Sequence, residues 1–159
     1  MLILDLSTNS GGLGQNAEKI ASLFLKQPYR GKLLIKPVSN PYIGELYVLI
    51  TRETYSAAEY LASILKESGV AILVGEETAG DFRTHCETLQ TSRGTCFSLG
   101  VGVPPLTANG NLTEGVGVKP HYTITEQDDK SIRETALRKT FFMYLKKEKD
   151  SGKKRERRL

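Results

Sequence analysis

Tryptophan is missing from the 159 residues, and cysteine and histidine appear only twice each. So few nitrogen and sulfur donors, with no C-x-x-C pair, leave no basis for a metal site, since the remaining ligands would have to come from scattered carboxylates. No apolar run approaches the ~20 residues that a bilayer-spanning helix needs. The chain does not open on a basic stretch, an apolar core and a cleavage site, so it carries no visible signal peptide. What is present is ordinary for one globular domain with a real core: 39% hydrophobic and 25% charged residues.

The net charge of +4 is uneven. Much of the excess lies in residues 146–159, which are expected to form a basic, disordered tail behind a domain of residues 1–145. No aromatics are interleaved with that charge, so it argues for a solvated chain end and against a nucleic-acid contact. Cys86 and Cys96 flank the hairpin that residues 84–103 predict. They can pair if they face each other across it, and two free thiols are the other outcome. Asn111 opens a glycosylation sequon, which means little without evidence of secretion.

Along the chain, apolar strand patterns alternate with helical ones. Residues 1–6, 45–51 and 70–74 read as buried strands, with a shorter strand near 33–35 and another at 122–125. Residues 16–26 carry Ala17, Ile20, Ala21 and Phe24 at helical spacing, residues 56–67 carry Leu61, Ile64 and Leu65, and residues 131–147 form a closing helix. Residues 84–103 read as a hairpin turning at Ser92-Arg93-Gly94. Strands alternating with helices imply an α/β domain. A core strand at the very first residue leads to the expectation that an upstream portion of the domain is missing. An uncovered first strand would favour association into a homo-oligomer.

Chemistry concentrates where the second long strand turns into a helix. Ser56 stands at the start of that helix, where its hydroxyl can enter a cleft faced by free amides and the positive helix end. Ser56 and Glu59 also have the spacing of a capping box. Upstream, Gly11 and Gly12 follow the first strand, as a plain turn or as a place where backbone N–H groups can approach a ligand closely.

Four blocks occur in order: LILDLSTNSGG (2–12), LITRETYSAAE (49–59), VGEETAG (74–80) and EGVGVKP (114–120). Together they resemble peptidase family S41, which includes the tail-specific, or C-terminal processing, proteases and the tricorn-like proteases. The resemblance implies a ClpP/crotonase-like α/β fold of ββα units, a mixed, mostly parallel sheet flanked by helices. It implies Ser56 as nucleophile, the Ala57 amide as one oxyanion donor and Gly11 or Gly12 as the other, with no cofactor and a polypeptide substrate held by its C-terminal segment. It also suggests an extracytoplasmic location. In the processing proteases a lysine follows Thr-x-Gly as general base. Here Thr78-Ala79-Gly80 leads into Asp81, which cannot serve as that base, and Lys66 and Lys119 lie at unmatched positions. The chain therefore resembles the histidine-using, tricorn-like branch more closely. Glu114 matches that branch's acidic residue, while its histidine belongs to an upstream segment. His85, in the loop after Asp81, is the candidate substitute, and His121 is a poorer one. Without its base the chain alone would be inactive. The alternative is a non-catalytic ligand- or peptide-binding module of the same fold.

Overall fold

The computed structural model describes residues 1–31, 33–82, 86–112, 114–125 and 132–156. In chain order the elements are β1 (Leu2–Asp5), α1 (Gly14–Ser22), β2 (Tyr29–Arg30), β3 (Leu34–Ile35), β4 (Leu46–Ile50) and α2 (Ala57–Glu67). They continue with β5 (Ala71–Gly75), β6 (Cys86–Gln90), β7 (Cys96–Gly100), β8 (Leu106–Thr107), β9 (Gly110–Asn111), β10 (Tyr122–Thr123) and α3 (Ile132–Glu156). The main sheet is four-stranded and wholly parallel, in the order β1-β4-β5-β10. Among the described residues antiparallel pairing is confined to the small ribbons β2-β3, β6-β7 and β8-β9.

The continuous apolar run of β4 is explained by its place. It pairs with a strand on each side and is buried on both faces. Its side chains alternate between two cores, as the period of a strand requires. Leu46, Val48 and Ile50 pack with α1 and α2 through Ala17, Ala21, Leu61 and Ile64. Tyr47 and Leu49 face the other way and pack with Val74, Ile124 and Ala136 of α3. At about 1.5–3 kcal/mol for each large apolar side chain buried, these two layers dominate the stability of the fold.

Helix α3 is tied to the sheet by Arg133, whose Nε lies 2.6 Å from Asp5 Oδ2, and by Lys147, which pairs with Glu45. Burial would raise the Asp5 pKa, but hydrogen bonds from the Ser7 hydroxyl and amide, together with Arg133, outweigh it and hold the carboxyl below its usual value. The helix runs on to Glu156, into the segment read from the sequence as a tail. Its Lys, Arg and Glu residues are good helix formers even without packing.

The cysteines do not meet. In the β6-β7 register Cys86 opposes Gly100 and Cys96 opposes Gln90, so the two lie at opposite ends of the ribbon, well beyond disulfide reach. Both are exposed free thiols. Among the described residues no helix is long and apolar enough to cross a membrane.

Candidate active site

The loop after β1 is pinned to the turn between β4 and α2. The buried Thr54 hydroxyl donates to the Leu6 carbonyl at 2.8 Å, Thr51 Oγ1 donates to the Ser7 carbonyl, and Tyr55 N–H donates to the Asn9 carbonyl at 3.0 Å. These bonds lay the glycine loop against the serine. A Cβ added to Gly11, whose φ is +106°, would stand 2.8 Å from Ser56 Cβ and 3.2 Å from the Ala57 nitrogen. Only glycine fits there, on both steric and backbone grounds.

Ser56 itself is strained. Its φ of +53° with ψ of −120° makes it the only non-glycine residue at positive φ among those described. Such a conformation costs on the order of 1–3 kcal/mol and persists only where the surroundings enforce it. Here the enforcer is Glu59. Ser56 and Glu59 stand as a capping box at the start of α2, and its carboxylate half reaches further. Glu59 is fully buried and its oxygens accept four hydrogen bonds: Ser56 N–H at 2.9 Å, Thr78 Oγ1–H at 2.5 Å, Gly80 N–H at 2.7 Å and Asp81 N–H at 3.0 Å. One carboxylate thus joins the start of α2 to the whole Thr78-Ala79-Gly80-Asp81 loop. Val118 N–H donates to the same Thr78 hydroxyl, which draws in the segment after Glu114.

Two amides beside the serine remain unspent. Gly11 N–H is taken by Asn9 Oδ1 at 2.9 Å, and Ser56 N–H by Glu59 and the Asp81 carbonyl. Gly12 N–H and Ala57 N–H donate to no protein acceptor among the described residues. Of the two glycines, therefore, Gly12 has the free donor and Gly11 makes the room. Gly12, Ser56 and Ala57 line one cleft of about 340 Å³, whose walls include Glu18, Tyr60 and Phe82.

The other expected residues divide. Glu114 does not line this cleft. It borders the adjacent concavity with Asp81 and Tyr55 and accepts a hydrogen bond from Phe82 N–H at 2.9 Å, so it touches the site through the backbone of a cleft-wall residue. His85 lies outside the described residues. His121 belongs to a different place, a groove toward the far end of α2 with Lys66 and Lys119. Its Nδ1 accepts from Leu73 N–H at 2.9 Å, while Lys66 Nζ donates to the Lys119 carbonyl. Partial burial and the Lys66 charge lower the His121 pKa. Among the described residues that line the Ser56 cleft there is no histidine or lysine, and no three His, Cys, Asp or Glu side chains are grouped as metal ligands. Sequence reasoning did not single out Glu18 or Tyr60. The signal available was a carboxylate directly beside the core position Ala17.

A family model described as "Peptidase family S41" matches residues 1–124. The chain is 37% identical over 91 residues to the "Carboxyl-terminal-processing protease" of Picosynechococcus sp., a match covering 49% of this chain and 21% of that one. Among solved structures it is similar to the photosystem II D1 C-terminal processing protease, at 26% identity and a TM-score of 0.62, over 77% of this chain and 34% of that one. It also shares the fold of the tricorn protease, at 22% identity and a TM-score of 0.59, over 77% and 12%. The chain thus spans about a third or less of the length of these proteins.

Proposed function

The chain belongs to peptidase family S41, and from that premise we propose that it is the serine-bearing core of a peptidase in which Ser56 forms an acyl-enzyme with the C-terminal segment of a polypeptide. The observation that carries this is the conjunction at Ser56: a serine held at positive φ beside two amides that meet no protein acceptor among the described residues. In the reaction Ser56 Oγ attacks a peptide carbonyl and gives up its proton to a general base. The oxyanion is held by Ala57 N–H and Gly12 N–H. The C–N bond then breaks, the amine leaves with the proton, and water hydrolyses the ester.

The general base is not supplied by the described cleft. Asp81 occupies the position where the processing proteases carry lysine, and its backbone, through N–H to Glu59 and C=O to Ser56, is used to hold the serine's geometry. We assign the base to a histidine from outside these 159 residues, so that the chain alone turns over little peptide. Glu114 then acts as a positioning group through the loop at Phe82. The second reading, a peptide-binding module without chemistry, is favoured by the lack of histidine or lysine among the described residues of the cleft lining.

The test is to locate the label left by a fluorophosphonate probe by mass spectrometry, with Ser56→Ala as control and His85→Ala as a second variant. Label confined to Ser56 and unchanged in His85→Ala supports a nucleophile whose base lies elsewhere. A sharp drop in His85→Ala would move the base to His85. Equal label on Ser56 and on unrelated serines contradicts the peptidase assignment.

A further inference from the structure

Glu18 sits on α1 beside the buried Ala17, half-buried, and lines the same cleft as Ser56 and Ala57. Its one hydrogen bond among the described residues comes from the Tyr60 hydroxyl at 3.3 Å. Burial, and then the Glu18 charge, push the Tyr60 pKa up to about 12, so the phenol stays a neutral donor. No cation pairs with Glu18 among the described residues. Lys19 and Lys36 line the shallow groove on its other side without forming an ion pair to it. A partly desolvated carboxylate with a single neutral partner has unused acceptor capacity. Leu33, Tyr60, Phe82 and Pro105 give the cleft an apolar wall, with Gln15 also in the lining.

That pairing of a greasy wall with a carboxylate that no described cation matches has a natural ligand. Lysine and arginine carry an alkyl stem that packs on apolar surface and a charged end that seeks a carboxylate. A guanidinium also stacks well on aromatic rings. An apolar side chain of the same length would strip water from Glu18 and return nothing. We infer that Glu18 is the specificity-determining residue of the cleft and selects a basic side chain, lysine or arginine, on the substrate residue bound beside Ser56. The inference rests on the peptidase assignment of that cleft.

The experiment is an anisotropy titration of two labelled peptides that differ only by lysine against norleucine at one position, using the Ser56→Ala chain so that no turnover is needed. The lysine peptide is expected to bind roughly tenfold tighter, the worth of one good charge-assisted contact. That preference is expected to vanish in Ser56→Ala/Glu18→Gln and to shrink at about 0.5 M salt. In Ser56→Ala/Glu18→Lys it should reverse toward a glutamate peptide. Equal binding, a norleucine preference, no binding of either peptide, or a lysine preference that survives both Glu18 variants overturns the inference. Because the titration needs no reactive serine, it fails independently of the fluorophosphonate test. A lysine preference without Ser56 label would leave a selective binding cleft and remove the peptidase assignment.

Discussion

Glu59 shows how much one residue can hold. Four donors converge on it from three places: the start of α2, the Thr78 side chain, and the Gly80 and Asp81 amides. Glu59→Gln keeps the size but turns one acceptor oxygen into an NH2 group that faces N–H donors. We expect the loss of about 2–4 kcal/mol in urea unfolding, since buried donors lose a charged acceptor. Loss of Ser56 reactivity should accompany it, because the serine's positive φ is then no longer enforced. A stability change under ~1 kcal/mol would show that the network is not what holds the turn. The sequence pattern exposed the Ser56 and Glu59 pair and its two meanings, cap or nucleophile support. It could not show that the carboxylate is used fourfold, because three of those four bonds come from residues outside the helix's own cap.

Among the elements, the long ones and the short strands β3 and β10 were legible, while β2, β8 and β9 were not. The pattern of β4 and α2 is carried by continuous or periodic apolar residues that tertiary packing reinforces. The ribbons β2, β8 and β9 are two residues each, too short for any period to register. They owe their place to contacts such as Tyr29 Oη–H to Glu67 Oε2 and Ala108 N–H to Tyr29 Oη. The cysteine pairing was open in the sequence because it depends on hairpin register, which puts Cys86 and Cys96 at opposite ends. His121 illustrates a role that periodicity cannot reveal. It holds the approach to β10 onto β5 by accepting from Leu73 N–H and donating its own N–H to Leu73 O. Its folded pKa is depressed by burial and by Lys66, so the unfolded chain binds the proton more readily. Stability from this group is therefore full above the unfolded value near 6.5 and falls as pH drops below it, levelling out below the folded value. Urea midpoints measured from pH 8 to pH 5 should show this decline, and His121→Gln should flatten it. An unchanged slope in the variant would assign the decline to other groups. Ser56 labelling should not respond to His121→Gln, since the histidine lies toward the opposite end of α2.

For the whole molecule, the two faces of the sheet have different guardians. α1 and α2 cover the face that carries the site, and α3 covers the other through Ala136, Ile132 and Leu137. The buried anchors of α3 among the residues whose burial is described precede residue 146, and residues 146–150 are exposed. Deleting residues 148–159 should therefore shift unfolding by less than about 1 kcal/mol, within the range of exposed charge changes. Ending the chain at residue 131 should abolish cooperative unfolding, because Tyr47, Leu49, Val74 and Ile124 would lose their cover. Calorimetry of the two truncations checks both, and a cooperative transition in the shorter one would mean that α3 is not part of the core. At this scale the α/β class and the family blocks were legible because order and spacing survive in the sequence. The lack of a lysine after Thr78-Ala79-Gly80 was legible as a departure, Asp81 after Gly80. That Glu114 stands one residue removed from the cleft required the fold.

The central claim is that Ser56 is a prepared nucleophile lacking only a proton acceptor. It is tested most directly by the rate of fluorophosphonate labelling at Ser56 with and without added imidazole, which stands in for the histidine proposed as base. A positioned general base is worth on the order of 10²–10⁴ in rate, and a freely diffusing one recovers a part of that. The account predicts slow label confined to Ser56, raised at least about tenfold by imidazole and absent in Ser56→Ala. Label that remains at the level of exposed serines, with no response to imidazole, would contradict it and leave the chain a binding module.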